Sequence, residues 1–121
     1  MTAVEALKKS IEMWTWIRDL RLKTKEEYFQ FINDLNPPFC YCYLCEYTKK
    51  KAKCWACPVK DWGNGAKYCI SKNSVYYSLH DNKFDYSKNQ GIPAYEIADQ
   101  MLGVLEKALQ EHLEGKNEAD K

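Results

Sequence analysis

Five of the six cysteines fall between Cys40 and Cys57, and four of these form two C-x-x-C pairs, Cys42/Cys45 and Cys54/Cys57, eight residues apart. Two residues between cysteines let both sulfurs reach one ion, and two such pairs supply the four thiolates that tetrahedral structural zinc prefers. The expected cofactor is therefore Zn2+, held by Cys42, Cys45, Cys54 and Cys57, with Cys69 and Cys40 as alternative ligands. An iron–sulfur cluster is the rival, because it is also held by thiolates and Pro58 follows Cys57 as proline often follows a cluster ligand. The tighter C-x-x-C-x-x-C run of ferredoxins is missing. A disulfide framework needs an oxidising compartment, and MTAVEALKK offers no apolar stretch of signal-peptide type. Thioredoxin-like chemistry at Cys54-Trp-Ala-Cys57-Pro58 expects a strand before the motif in a βαβ setting, a pattern not seen here. His80 and His112 lie outside both pairs, and His112 reads as a helix-boundary residue. A four-cysteine zinc ion has no open coordination position, so it would staple the chain rather than activate water.

The flanks follow helical periods. Val4, Leu7, Ile11, Trp14 and Ile17 form one apolar stripe, predicting a helix over about 3–21. Thr24-Lys25-Glu26-Glu27 is a capping box, and Tyr28, Phe31, Ile32 and Leu35 follow at i, i+3, i+4 and i+7, predicting a second helix over about 24–35 that Asn36-Pro37-Pro38 ends. Pro93 suits a first helical position, and Ala94, Ile97, Ala98, Met101, Leu102, Leu105, Ala108, Leu109 and Leu113 predict a long helix over about 93–114. Gly103 inside it suggests a close helix contact. From Phe39 to about Asn73 no period is sustained, so order there is expected from ligation. Asp61-Trp62-Gly63-Asn64-Gly65 reads as a turn whose glycines supply positive φ, and residues 74–79 read as a short β-rich stretch. The fold class is thus mainly α, with a small α+β variant as the alternative. Residues 1–115 form one domain of helices around a cysteine-ligated zinc-knuckle core, and 116–121 form a frayed tail.

The net charge of +1 hides an uneven distribution. Residues 1–35 are balanced, residues 40–72 hold seven lysines against Glu46 and Asp61, and the remainder is acidic. Near-neutrality argues against a protein that coats DNA, without excluding a local anion site. Lys49, Lys50, Lys51 and Lys53, with Trp55 close behind, combine phosphate-neutralising charge with a stacking face and mark a nucleic-acid surface as one alternative. The plainer reading is a solvated loop that offsets the negative charge of a tetrathiolate site. Trp14 and Trp16 are two apart, so on a helix they face different ways and cannot share one stripe. No apolar run is long enough for a membrane span, and none of G-x-S-x-G, G-x-x-x-x-G-K or H-E-x-x-H occurs, so no enzyme is expected.

The series Trp14-Thr-Trp16, Cys42-Tyr-Leu-Cys45, Cys54-Trp-Ala-Cys57-Pro58, Gly65, Cys69 and Tyr76-Tyr77 resembles small uncharacterised proteins of tailed bacteriophages, which carry an opening helix, a zinc-knuckle core and a closing helix. Cys40 departs from that pattern and leaves the ligand set open. The resemblance implies a phage-encoded, non-enzymatic protein in the host cytoplasm that binds, and so inhibits, a host macromolecule. A host protein is the first expected partner; nucleic acid and a second copy of the chain are the others.

Overall fold

The computed structural model describes residues 1–38, 42–51, 57–66, 75 and 93–115. Among them are four helices and no strand: α1 (Ala3–Leu20), α2 (Lys25–Phe31), α3 (Tyr43–Lys51) and α4 (Ala94–Leu113). The mainly α class is correct. The expected stretch at 74–79, apart from Val75, and the tail at 116–121 lie outside the described residues.

α1 begins with a reciprocal cap. The Thr2 hydroxyl accepts the Glu5 N–H at 3.1 Å while the Glu5 carboxylate accepts the Thr2 N–H at 3.1 Å, which satisfies two of the helix's orphan donors. The helix buries Ala3, Ala6, Leu7, Ser10, Met13, Trp14 and Ile17; of the predicted stripe, Leu7, Trp14 and Ile17 are buried, whereas Val4 and Ile11 are only half-buried. It ends at Arg21, whose left-handed backbone lets Leu22 N–H reach the Ile17 carbonyl at 3.0 Å. The Arg21 guanidinium then lies over the Tyr95 ring of α4, 4.3 Å from its centroid.

α4 runs back along α1 and makes the largest helix–helix contact among the described residues. Its start is anchored to the loop after α1. The N–H groups of Ala94 and Tyr95 donate to the carbonyls of Lys23 and Leu22 at 2.8 and 3.1 Å, so main chain satisfies donors that Pro93, the N-cap, cannot cap with a side chain. Ala94, Ile97, Ala98, Met101, Leu102, Leu105 and Ala108 face inward as the period predicts, whereas Leu113 is exposed. α3 packs on α1 with Leu44, Tyr47 and Thr48, and Val59, Trp62 and Ala66 join the same apolar cluster. The turn at 61–66 matches its sequence: Asp61 Oδ1 accepts the Gly63 N–H at 2.9 Å, and Gly63 and Gly65 both have positive φ.

Three expectations need correction. The stretch from 40 to 72 is not aperiodic throughout, because α3 occupies Tyr43–Lys51; its buried positions 44, 47 and 48 are a helical i, i+3, i+4 set too short to register among cysteines and lysines. α2 ends at Phe31, not 35, because Asn33 turns left-handed, so that Asn33 and Asp34 donate to the carbonyls of Gln30 and Phe29 at 3.1 and 2.9 Å. Gly103 marks no close helix contact, since a Cβ built there meets no atom within 4 Å.

Gly103 therefore carries the entropic cost of a mid-helix glycine with no packing return. Gly103→Ala is expected to raise stability by up to about 1 kcal/mol in chemical denaturation, and a loss of stability would show that Gly103 has a role beyond α4 itself.

Candidate metal centre and apolar surface

Cys42 is the residue before α3 and Cys45 lies in its first turn, so the first C-x-x-C pair forms the start of a helix rather than a free-standing knuckle. The Cys42 carbonyl accepts the Glu46 N–H at 3.0 Å, which opens the α-helical ladder. Its sulfur takes the place that a serine or aspartate oxygen usually fills at such a position, facing the Cys45 S–H and the N–H groups of Cys45 and Leu44. One turn on, the Thr48 hydroxyl donates back to the Cys45 carbonyl at 3.1 Å.

These contacts set the chemistry of Cys42. Hydrogen bonding from Cys45 outweighs burial, with help from the Lys25 ammonium and the two backbone donors, and lowers the thiol from its ordinary 9.0 to about 6. Lys25 is the first residue of α2 and is only 6% exposed. α2 is pressed against the start of α3, the Phe29 and Tyr43 rings lying 5.8 Å apart. Burial, followed by the charges of Asp34 and Glu12, raises the Tyr43 hydroxyl.

Cys42, Cys45 and Cys57 are thiols, and Cys42 and Cys57 both pack against the apolar cluster. Among the described residues no three histidine, cysteine or acidic side chains gather into a group able to hold a metal. The structure thus brings together Cys42 and Cys45, one half of the expected ligand set, and does not bring Cys57 to them as a third ligand. Cys40, Cys54 and Cys69 lie outside the described residues, as do Lys53, Trp55 and His80. The remaining donor chemistry is consistent with thiophilic metal: two sulfurs one helical turn apart, with backbone donors that stabilise negative sulfur. Lys49, Lys50 and Lys51 form the end of α3.

A second feature is an exposed apolar surface around Trp16. The stripe Tyr28, Phe31, Ile32, Leu35 does not all turn inward: α2 buries Lys25, Tyr28 and Phe29, whereas Phe31 is 55% and Leu35 92% exposed and Ile32 is also open. Trp14 is buried in α1, and Trp16, facing the other way, is 41% exposed with its ring 5.8 Å from that of Phe31. Leu20, exposed as well, is one turn beyond Trp16. The available signal was the Trp14/Trp16 spacing together with an apolar stripe running past a helix of only seven residues. Glu12 and Asp19, at helical i−4 and i+3 from Trp16, and Asp34 beside the end of α2 give this surface acidic neighbours.

In metal-free protein, alkylation of Cys42 followed by mass spectrometry is expected to be half-maximal near pH 6, and a midpoint near 9 would refute the role of the Cys45 and backbone donors. Because the folded thiol is lowered from 9.0, its ionisation contributes stability that is fully present above about pH 9 and is lost as pH falls through about 6. No protein-family model matches the chain, and neither a curated protein nor a solved structure matches it significantly.

Proposed function

We propose that the chain is a non-enzymatic binding protein whose cysteine-rich middle is held by Zn2+ and whose Trp16/Phe31 surface engages a protein partner. The resemblance to small phage proteins makes that partner a host protein, bound in the host cytoplasm. The observation that carries the reading is the exposed Trp16–Phe31 ring pair, continued by Leu20, Ile32 and Leu35. Large aromatic side chains clustered at a surface are the usual anchors of protein interfaces, and their exposure costs stability that partner binding would recover. Glu12 and Asp34 favour a protein over nucleic acid or an anionic lipid surface, because carboxylates repel phosphates, whereas Asp19 is neutralised by Arg18 at 2.9 Å. No helix among the described residues is long and apolar enough to cross a membrane.

The metal supports binding indirectly. Cys42 and Cys45 supply the first two thiolates, and Cys54 with Cys57 or Cys69 would complete the set. When bound, the ion would cross-link α3 to the segment that carries Val59 and Trp62, holding α3 against α1.

Removing metal with a chelator, or introducing Cys45→Ser, is expected to lower the melting temperature strongly, since structural zinc contributes on the order of 10 kcal/mol in zinc-finger peptides. Elemental analysis should find zinc in a colourless protein, whereas a brown protein with iron would replace Zn2+ by a cluster. An unchanged melting temperature after verified metal removal would overturn the stapling role.

The binding role is tested by immobilising wild-type protein and the Trp16→Ser, Phe31→Ser double variant in bacterial lysate. The expected result is a protein retained by the wild type and lost by a variant that melts at the same temperature. Retention of the same protein by both would remove the aromatic surface from the interface, and nucleic acid as the retained species would favour the lysine segment instead.

A further inference from the structure

Two elements build the exposed apolar surface. α1 contributes Trp16 and Leu20, one turn apart, and the end of α2 with the residues after it contributes Phe31, Ile32 and Leu35, the Trp16 and Phe31 rings lying 5.8 Å apart. Its border is acidic on both sides. Glu12 stands one turn before Trp16 on α1, and Asp34 is fixed between Ile32 and Leu35 where its N–H donates to the Phe29 carbonyl at 2.9 Å. Burial first, and then negative charge that in both cases includes Glu12 and Asp34, raises the Tyr28 and Tyr43 hydroxyls, so the two carboxylates act on one place. Three cations of α1 and its end have partners of their own: Arg18 pairs with Asp19 at 2.9 Å, Lys9 lies over the Tyr43 ring and Arg21 over the Tyr95 ring. Among the described residues neither Glu12 nor Asp34 is in an ion pair.

We propose that this surface takes a basic amphipathic segment of its protein partner, whose apolar side chains pack on Trp16 and Phe31 while Lys or Arg beside them meets Glu12 and Asp34. This rests on the aromatic surface being the docking site and goes beyond it by fixing the chemistry of the segment that docks. Aromatic rings with aliphatic neighbours favour apolar anchors, and unpaired carboxylates at the border select the charge that accompanies them. Lys and Arg suit such a border doubly, because their stems cover apolar surface and their charged ends are drawn to aromatic faces. A segment with acidic flanks would set like charges against each other. A second copy of this chain meets the same obstacle, since a two-fold interface lays the same patch, acidic border included, on itself.

The test uses the full chain and two fluorescently labelled amphipathic peptides of equal length and helical period, one of leucine with lysine and one of leucine with glutamate, titrated by anisotropy. The leucine/lysine peptide is expected to bind, and the leucine/glutamate peptide to bind at least about tenfold more weakly at low salt. The Glu12→Gln, Asp34→Asn double variant keeps the side-chain sizes and the oxygen that accepts the Asn36 N–H. It is expected to lose about fivefold in affinity for the leucine/lysine peptide at low salt, a loss that shrinks as salt rises. Trp16→Ser with Phe31→Ser is expected to abolish binding at every salt concentration, and Phe31→Ser alone serves if the pair does not fold. Equal affinity for the two peptides, or an unchanged affinity in the carboxylate variant, would overturn the basic segment and leave the aromatic docking surface standing. Binding that survives loss of both rings would overturn the two together. Failure of both peptides to bind would remove the amphipathic segment, while retention of a lysate protein through Trp16 and Phe31 would still uphold the surface. A wild type that sediments as a dimer, with the ring variant a monomer, would make a second copy the occupant and overturn the proposal.

Discussion

The packing of α1 against α4 is the constraint on which the remainder of the structure rests. Two helices of 18 and 20 residues bury nearly continuous apolar sides against each other, and the gain scales with the area removed from water. Their relative position is set at one end, where the carbonyls of Leu22 and Lys23 receive the first N–H groups of α4 and Arg21 covers Tyr95. The exposed Arg18–Asp99 pair at 3.5 Å lies at the same end and adds little, as exposed pairs do. α3 and the segment at 57–66 then dock on a surface that already exists.

That order explains how functional features sit on so small a chain. α2 is too short to be stable alone and persists because its capping box, its left-handed end at Asn33 and the burial of Tyr28 and Phe29 act together. Having only seven residues, it covers little, so the apolar residues that follow it remain at the surface beside Trp16. The same short helix packs Phe29 on Tyr43 at the start of α3. One element thereby links the exposed aromatic surface to the cysteine pair, with Tyr28 and Phe29 as the buried layer between.

Much of this architecture was legible in residue spacing. The stripes of α1 and α4, the Thr24 capping box and the glycine turn at 63–65 are local, and local periodicity or backbone need identifies them directly. α3 was obscured because its inward set of Leu44, Tyr47 and Thr48 is brief and includes a polar member, while its start is a cysteine rather than a familiar capping residue. The exposure of Phe31 and Leu35 was hidden for the opposite reason: the period was present, but the chain turned out of the helix at Asn33.

The sequence alone determined the helical class, the pairing of cysteines by spacing, and the opposed directions of Trp14 and Trp16, because each depends only on residues within a few positions of one another. The tertiary structure decided that Cys42 opens a helix, that α2 buries Lys25 with Tyr28 and Phe29, and that Trp16 meets Phe31 in the open. Those outcomes depend on which face of α2 the α1–α4 pair leaves room to bury. Such a choice is made by competition for apolar area among distant segments, and no local pattern records it.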